Sequence, residues 1–132
     1  MIAGLGLDLV DVAAFRVQLA DPASAFVAGT FTAAEQAGAP TGPGDAVLHL
    51  AARFAAKEAF VKAWSAARRG HPPAVATLDL REIEVVRDPW GRPGLQVHGQ
   101  VRAAFGAGLR LHLSLSHDGP CAGAVVIVEE VP

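Results

Sequence analysis

Arg53-Phe54-Ala55-Ala56-Lys57-Glu58-Ala59-Phe60-Val61-Lys62-Ala63-Trp64 reads as the middle of a long helix. At about 100° per residue, Leu50, Phe54, Val61 and Trp64 form one apolar stripe, and Arg53 and Lys57 project within the same arc instead of opposite it. Glu58 and Lys62 stand on its margin as an i,i+4 pair. Unpaired charge is expensive to bury. Two readings are open: the four side chains line a pocket for an anion, a metal ion or both, or Glu58 and Lys62 form a solvated salt bridge while Arg53 and Lys57 snorkel past their neighbours.

Outward from this stretch, Asp45 is the expected N-cap, and the helix runs to about Arg68, where Gly70 and Pro72-Pro73 end it. Upstream, Ile2 to Val10 alternates as a strand, with Leu5, Leu7 and Leu9 on one face and Gly4, Gly6 and Asp8 on the other. The glycines beside Asp8 leave room for a close ligand. Val12, Phe15 and Leu19 are spaced for a short helix ending before Pro22, and Ala23 to Ala28 adds a second helical piece. Thr32-Ala33-Ala34-Glu35 is a capping-box pattern opening a third, and residues 38–44 are too rich in Gly and Pro for anything but a loop. Downstream, Ile83 to Arg87 and Leu95 to His98 read as strands joined by a turn at Asp88-Pro89-Trp90-Gly91-Arg92-Pro93. A short helix over Gln100 to Phe105 and strands over Arg110 to Ser116 and Ala122 to Val128 complete the chain. One strand, then helices, then mostly strands predicts a single α+β domain over residues 1–132, with a mainly antiparallel sheet packed against the long helix and shorter helices. No βαβ alternation, dinucleotide fingerprint or Walker lysine motif is present.

With 132 residues the chain holds one core and little room for a second. At 52% hydrophobic it is richer in apolar residues than an average domain, a surplus that oligomerisation would use. A net charge of −2 with acids and bases intermixed argues against nucleic acid and membrane partners. The apolar runs are too short to span a bilayer, Met1-Ile2-Ala3-Gly4 has no basic stretch ahead of an apolar core and so does not read as a signal peptide, and the single Cys121 fits a reducing cytoplasm.

Asp8 and Glu58, with neither Cys nor His alongside, suit a hard cation such as Mg²⁺ that keeps waters and shares phosphate oxygens. Arg53, Lys57 and Lys62 on the same helix add the fixed cations a polyphosphate needs. Ser114-Leu115-Ser116-His117-Asp118 is not a hydrolase triad, because adjacent strand residues point to opposite faces and no nucleophile elbow exists. It reads instead as a polar strand end that hydrogen-bonds a ligand, with His117 near a phosphate.

In order along the chain, Gly6-Leu7-Asp8-Leu9-Val10, Phe31-Thr32-Ala33-Ala34-Glu35, Arg53-Phe54-Ala55-Ala56-Lys57-Glu58-Ala59, Gly91-Arg92-Pro93 and Ser114-Leu115-Ser116-His117 resemble the motifs of the holo-(acyl-carrier-protein) synthases. These are the small-type 4′-phosphopantetheinyl transferases, and the resemblance spans nearly the whole chain. It implies the 4′-phosphopantetheinyl transferase fold and a Mg²⁺-dependent transfer of 4′-phosphopantetheine from coenzyme A to a serine of an apo acyl-carrier protein or carrier domain. Adenosine 3′,5′-bisphosphate would be released, in support of fatty acid biosynthesis. It further implies Asp8 and Glu58 as metal ligands, and Lys62 and Lys57 against the pyrophosphate. Arg53 and His117 would meet the 3′-phosphate, Gly91, Arg92 and Pro93 would lie near the adenine, and Ser116 would lie at the coenzyme site. Glu58, or a water it orients, would be the base, with Asp118 a weaker candidate. A homotrimer with sites between subunits is expected. One departure concerns carrier docking: Ala14 occupies a position where many relatives carry a base, and the nearest base is Arg16.

Overall fold

In the computed structural model, residues 1–132 are described, apart from the side chain of Pro43. The elements run β1 (Ile2–Asp11), α1 (Val12–Ala20), α2 (Phe26–Thr30), α3 (Ala33–Ala37), α4 (Pro43–Ala67), a 3₁₀ turn (Leu80–Glu82), β2 (Ile83–Arg87), β3 (Pro93–Val97), α5 (Gly99–Phe105), β4 (Leu109–Asp118) and β5 (Cys121–Glu130). All pairings are antiparallel: one sheet has the order β1-β5-β4, and β2-β3 form a separate hairpin. The chain thus closes by placing its last strand between its first and β4.

The long helix begins earlier than expected. Gly42 is the N-cap, Pro43 occupies the first turn, and Asp45 lies inside that turn instead of capping it. Proline at a helix start loses no hydrogen bond, since its amide would have had no partner. By contrast, the Thr32 capping box is formed as predicted, with Thr32 Oγ1 accepting from the Glu35 amide and Glu35 Oε1 from the Thr32 amide.

The faces of β1 are divided as the alternation predicts, but the covered face is the glycine one. A Cβ on Gly4 would overlap the Ala63 carbonyl oxygen, and one on Gly6 that of Ala59. The glycines therefore make room for the backbone of α4, not for a ligand. Ala55, Ala59 and Ala63 are buried on the helix, so two runs of small residues let the helix lie directly on the strand. Leu5, Leu7 and Leu9 are left outward, 60%, 55% and 67% exposed.

Aromatic side chains fill the two ends of α4. Phe15 packs on Phe26, Phe31 and Phe54 toward its N-terminal half, while Phe60, Trp64 and Phe105 form a second cluster toward its C-terminus. Phe60 and Trp64 are thus consumed within the chain, at 0% and 7% exposure.

Candidate functional site

The charges of α4 are distributed to three places. Arg53 and Glu58 are five residues apart, about 140° around the helix axis, so they face different surroundings.

On one side, Asp8 rises from the covered face of β1 at its far end and meets α4. Asp8, Glu58, Ala14 and Gln18 line a shallow cavity that α1 flanks. Lys62 Nζ donates to Asp8 Oδ1 at 3.0 Å and to the Leu7 carbonyl at 2.9 Å, with its side chain 54% exposed. The expected partnership of Glu58 with Lys62 is replaced by this cross-element pair. Glu58 is held above the usual carboxylate range by partial burial and then by the Asp8 charge, with Lys62 opposing. Two carboxylates that repel each other in a half-buried cavity fit a hard divalent cation, which would relieve the repulsion. Among the described residues no cluster of three or more His, Cys, Asp or Glu occurs. The chain would supply two ligands and leave the other positions to water or phosphate oxygens, as Mg²⁺ prefers.

On the other side, Arg53 stands between two cavities. One, of roughly 570 Å³, is lined by Arg53, His49, Arg87, Glu35, Pro89 and Gly91 among others. The second is shared by Arg53, His49 and His117. His49 and Arg87 were not singled out by the sequence reading. His49 had a signal, since it precedes Arg53 by one turn, and Arg53 Nη1 donates to its carbonyl at 3.4 Å. His49 has its pKa lowered to about 4 by burial and by the positive charges of Arg53 and Arg87, with Glu35 acting the other way. Arg53 binds its proton less tightly than usual through burial and the neighbouring Arg87. Arg53 and Arg87 converge on an open concavity that Glu35, Glu84 and Asp88 also line, and two cations facing a cavity would suit an anion.

Lys57 belongs to neither side, which corrects the expectation that it meets a phosphate. It is fully buried, and its ammonium donates to Glu35 Oε1 at 2.8 Å and to the carbonyls of Leu80 and Ile83. Glu35 Oε2 accepts from the Val85 amide at 3.0 Å. All three ammonium donors are used, and the pair ties α3, α4 and β2 together. This is why the Phe-Thr-x-x-Glu stretch and the long helix carry a matching acid and base.

The remaining residues divide by strand face. His117 reaches the Arg53 cavity, whereas Ser116, one step along β4, falls on the opposite face of the sheet and does not join it. Gly91 has φ +84° at the tip of the β2–β3 turn and lines the larger cavity. Arg92 pairs with Asp88 across the same turn, and Pro93 opens β3. Asp118 ends β4 opposite Cys121, outside both cavities.

The profile of the 4′-phosphopantetheinyl transferase superfamily matches residues 4–122. The holo-[acyl-carrier-protein] synthase of Mycobacterium tuberculosis is 44% identical over 128 residues, covering 97% of both chains. Among solved structures, an ACPS–CoA complex of Chronobacterium ammoniagenes superposes with a TM-score of 0.90 at 41% identity, covering 98% of each chain. A holo-(acyl-carrier-protein) synthase of Bacillus anthracis in complex with CoA (3′,5′-ADP) does so at 0.76 and 28%, covering 99% of each. With the fold, the ordered motifs and these likenesses in agreement, the chain belongs to the 4′-phosphopantetheinyl transferase superfamily and, within it, to the holo-(acyl-carrier-protein) synthases.

Proposed function

We propose that this synthase moves 4′-phosphopantetheine from coenzyme A to a serine of an apo acyl-carrier protein or carrier domain, with Asp8 and Glu58 holding Mg²⁺. The observation that carries the reading is the half-buried carboxylate pair with Lys62 bridging to Asp8. Bound there, Mg²⁺ would neutralise pyrophosphate oxygens. Lys62 is exposed enough to turn from Asp8 to the pyrophosphate and to counter charge on the departing phosphate. Glu58, directly or through a water it orients, takes the serine proton. The serine oxygen forms a bond to the β-phosphorus as the bridging P–O bond breaks. The electron pair leaves with adenosine 3′,5′-bisphosphate.

Arg53, His49 and Arg87 suit the 3′-phosphate, with His117 alongside Arg53. These side chains and the Asp8–Glu58 pair line cavities that share no residue. On this reading a coenzyme A that meets both sets is held between two copies of the chain. The outward leucines of β1 offer the apolar face such an assembly needs, and a homotrimer satisfies both. The free thiol of Cys121 is in keeping with a cytoplasmic enzyme serving fatty acid biosynthesis. Among the described residues, no helix is long and apolar enough to cross a membrane.

Mass spectrometry of an apo carrier incubated with the protein, coenzyme A and Mg²⁺ is expected to add one phosphopantetheine per acceptor serine. Asp8→Ala and Glu58→Ala are expected to abolish the addition while the chain stays folded by circular dichroism. Undiminished transfer by either variant would remove that carboxylate from the metal site.

A further inference from the structure

A serine that reaches the Asp8–Glu58 pair brings its own protein with it, and the cavity around the pair decides where that protein lies. Asp11, Ala14, Phe15 and Gln18 form one wall of the cavity, so α1 is the lip the partner must cross. Phe15 fixes this helix, buried against Phe26, Phe31 and Phe54. At about 100° per residue, Ala14 and Gln18 stand roughly 40° apart on the cavity side. Arg16 is the only Lys or Arg of α1, and it is turned roughly 160° away from both. The one base of the lip therefore faces away from the cavity.

The charge left around the entrance is mainly negative. Asp11 caps α1, its carboxylate accepting from the Ala13 amide at 3.1 Å, and Asp21 follows the other end of the helix. Asp8 and Glu58 stand within the cavity, and Lys62 is held by Asp8. The open side of α1 is apolar as well. Ala13, Val17 and Ala20 recur at i, i+4 and i+7 and are all exposed, Val17 at 74%. A short helix that buries one apolar side and shows a second to solvent beside a reaction cavity is fitted for apolar contact with a partner. We infer that α1 receives the carrier through an uncharged contact centred on Ala14 and Val17, and that the carrier served has a near-neutral, apolar surface around its serine. The inference rests on the transferase reading above and names the chemistry of its protein substrate. A carrier acidic at that surface would meet Asp8, Asp11 and Glu58 with no base of α1 turned toward it, and like charges brought together are selected against.

Two forms of one apo carrier test this: an acidic acyl-carrier protein, and the same protein with the carboxylates flanking its serine replaced by amides. Coenzyme A and Mg²⁺ are kept saturating at every salt concentration. The native enzyme is expected to show a kcat/KM about 3- to 10-fold higher for the neutralised form, changing less than about 2-fold between roughly 50 and 300 mM NaCl. Val17→Asp is expected to raise the KM for that form about 5- to 30-fold while kcat and coenzyme A affinity hold. Ala14→Arg is expected to speed transfer to the acidic form about 3- to 10-fold at low salt and to lose the gain at high salt. A native preference for the acidic form that collapses with salt would overturn the inference and leave the transferase reading intact. An unchanged KM in Val17→Asp would overturn the apolar contact in the same way. Transfer to neither form by the native enzyme would remove the transferase reading, and this inference with it.

Discussion

Lys57 and Lys62 stand five residues apart on one helix and carry the same ammonium, yet one is sealed in protein and the other is half exposed. Lys57 spends its donors on Glu35 and two carbonyls, whereas Lys62 holds Asp8 and one carbonyl at the edge of a cavity. The difference is set by what each face of α4 meets. The inner face lies against β1, β2 and the capping box, where a charge survives only if fully paired. The outer face borders open concavities, where a charge remains available to a ligand. A signature that places both lysines in one motif therefore encodes two jobs, one in holding the helix and one at the site.

Substituting methionine at each position separates the jobs. Lys57→Met leaves Glu35 buried without its cation, and breaking such a pair costs about 3–5 kcal/mol, read as a fall in the denaturant midpoint. Adding Glu35→Gln is expected to recover part of that loss, because the stranded charge is gone. Lys62→Met removes an exposed pair worth no more than about 1 kcal/mol, so its midpoint stays close to native. Its kcat is expected to fall about 100- to 1000-fold, the scale for losing one donor to developing charge. A stable Lys57→Met chain with lowered kcat would merge the two roles and break the comparison.

The inner face has a second test in Gly6→Ala. The new methyl would overlap the Ala59 carbonyl, which is backbone and cannot rotate away, so α4 must lift from β1. A loss of about 1–3 kcal/mol follows from overpacking, measured by chemical denaturation. Because Asp8 is two residues along the same strand face, coenzyme A turnover is expected to drop as well.

Much of this arrangement was legible in the residues, and what was hidden has a common cause. Periodicity located the strands and the long helix because each period belongs to a single element. The capping box was readable for the same reason, being written within four residues. The use of the glycine face of β1 was not, since alternation names two faces without saying which is covered. Leu5, Leu7 and Leu9 would ordinarily claim the core, and only the alanines of α4 hint that the helix approaches the glycines instead. The buried role of Lys57 is hidden in the sequence because its acid, Glu35, lies 22 residues away and is marked there only by its capping box. His49 and Arg87 were missed because a cavity between a helix and a hairpin is a property of the packing. Ligand chemistry and resemblance single out Asp8 and Glu58 in the sequence, while their adjacency follows only from the packing of β1 on α4.

The smallest expected effect lies on the outer face, at His49, and it is one of protons. In the free chain its pKa is lowered to about 4 by burial and by Arg53 and Arg87, while Glu35 pulls the other way. The unfolded chain takes up this proton near the ordinary value of 6.5. Between those values the unfolded state binds more protons, so His49 erodes stability as pH falls from 6.5 toward 4 and contributes no loss above that window. A phosphate lodged between Arg53 and Arg87 would offset the two cations and raise the His49 pKa. At about pH 5.5 His49 is therefore expected to add uptake of a fraction of a proton to the net exchange on coenzyme A binding, measured by calorimetry in buffers of different ionisation enthalpy. The phosphate monoester titrates near pH 6, and cations that favour its dianion make it release protons on binding, so His49→Gln is the necessary reference. The native chain is expected to take up more than this variant, and the surplus should vanish at pH 8. Equal uptake in both would mean that the phosphate does not sit against this face of α4.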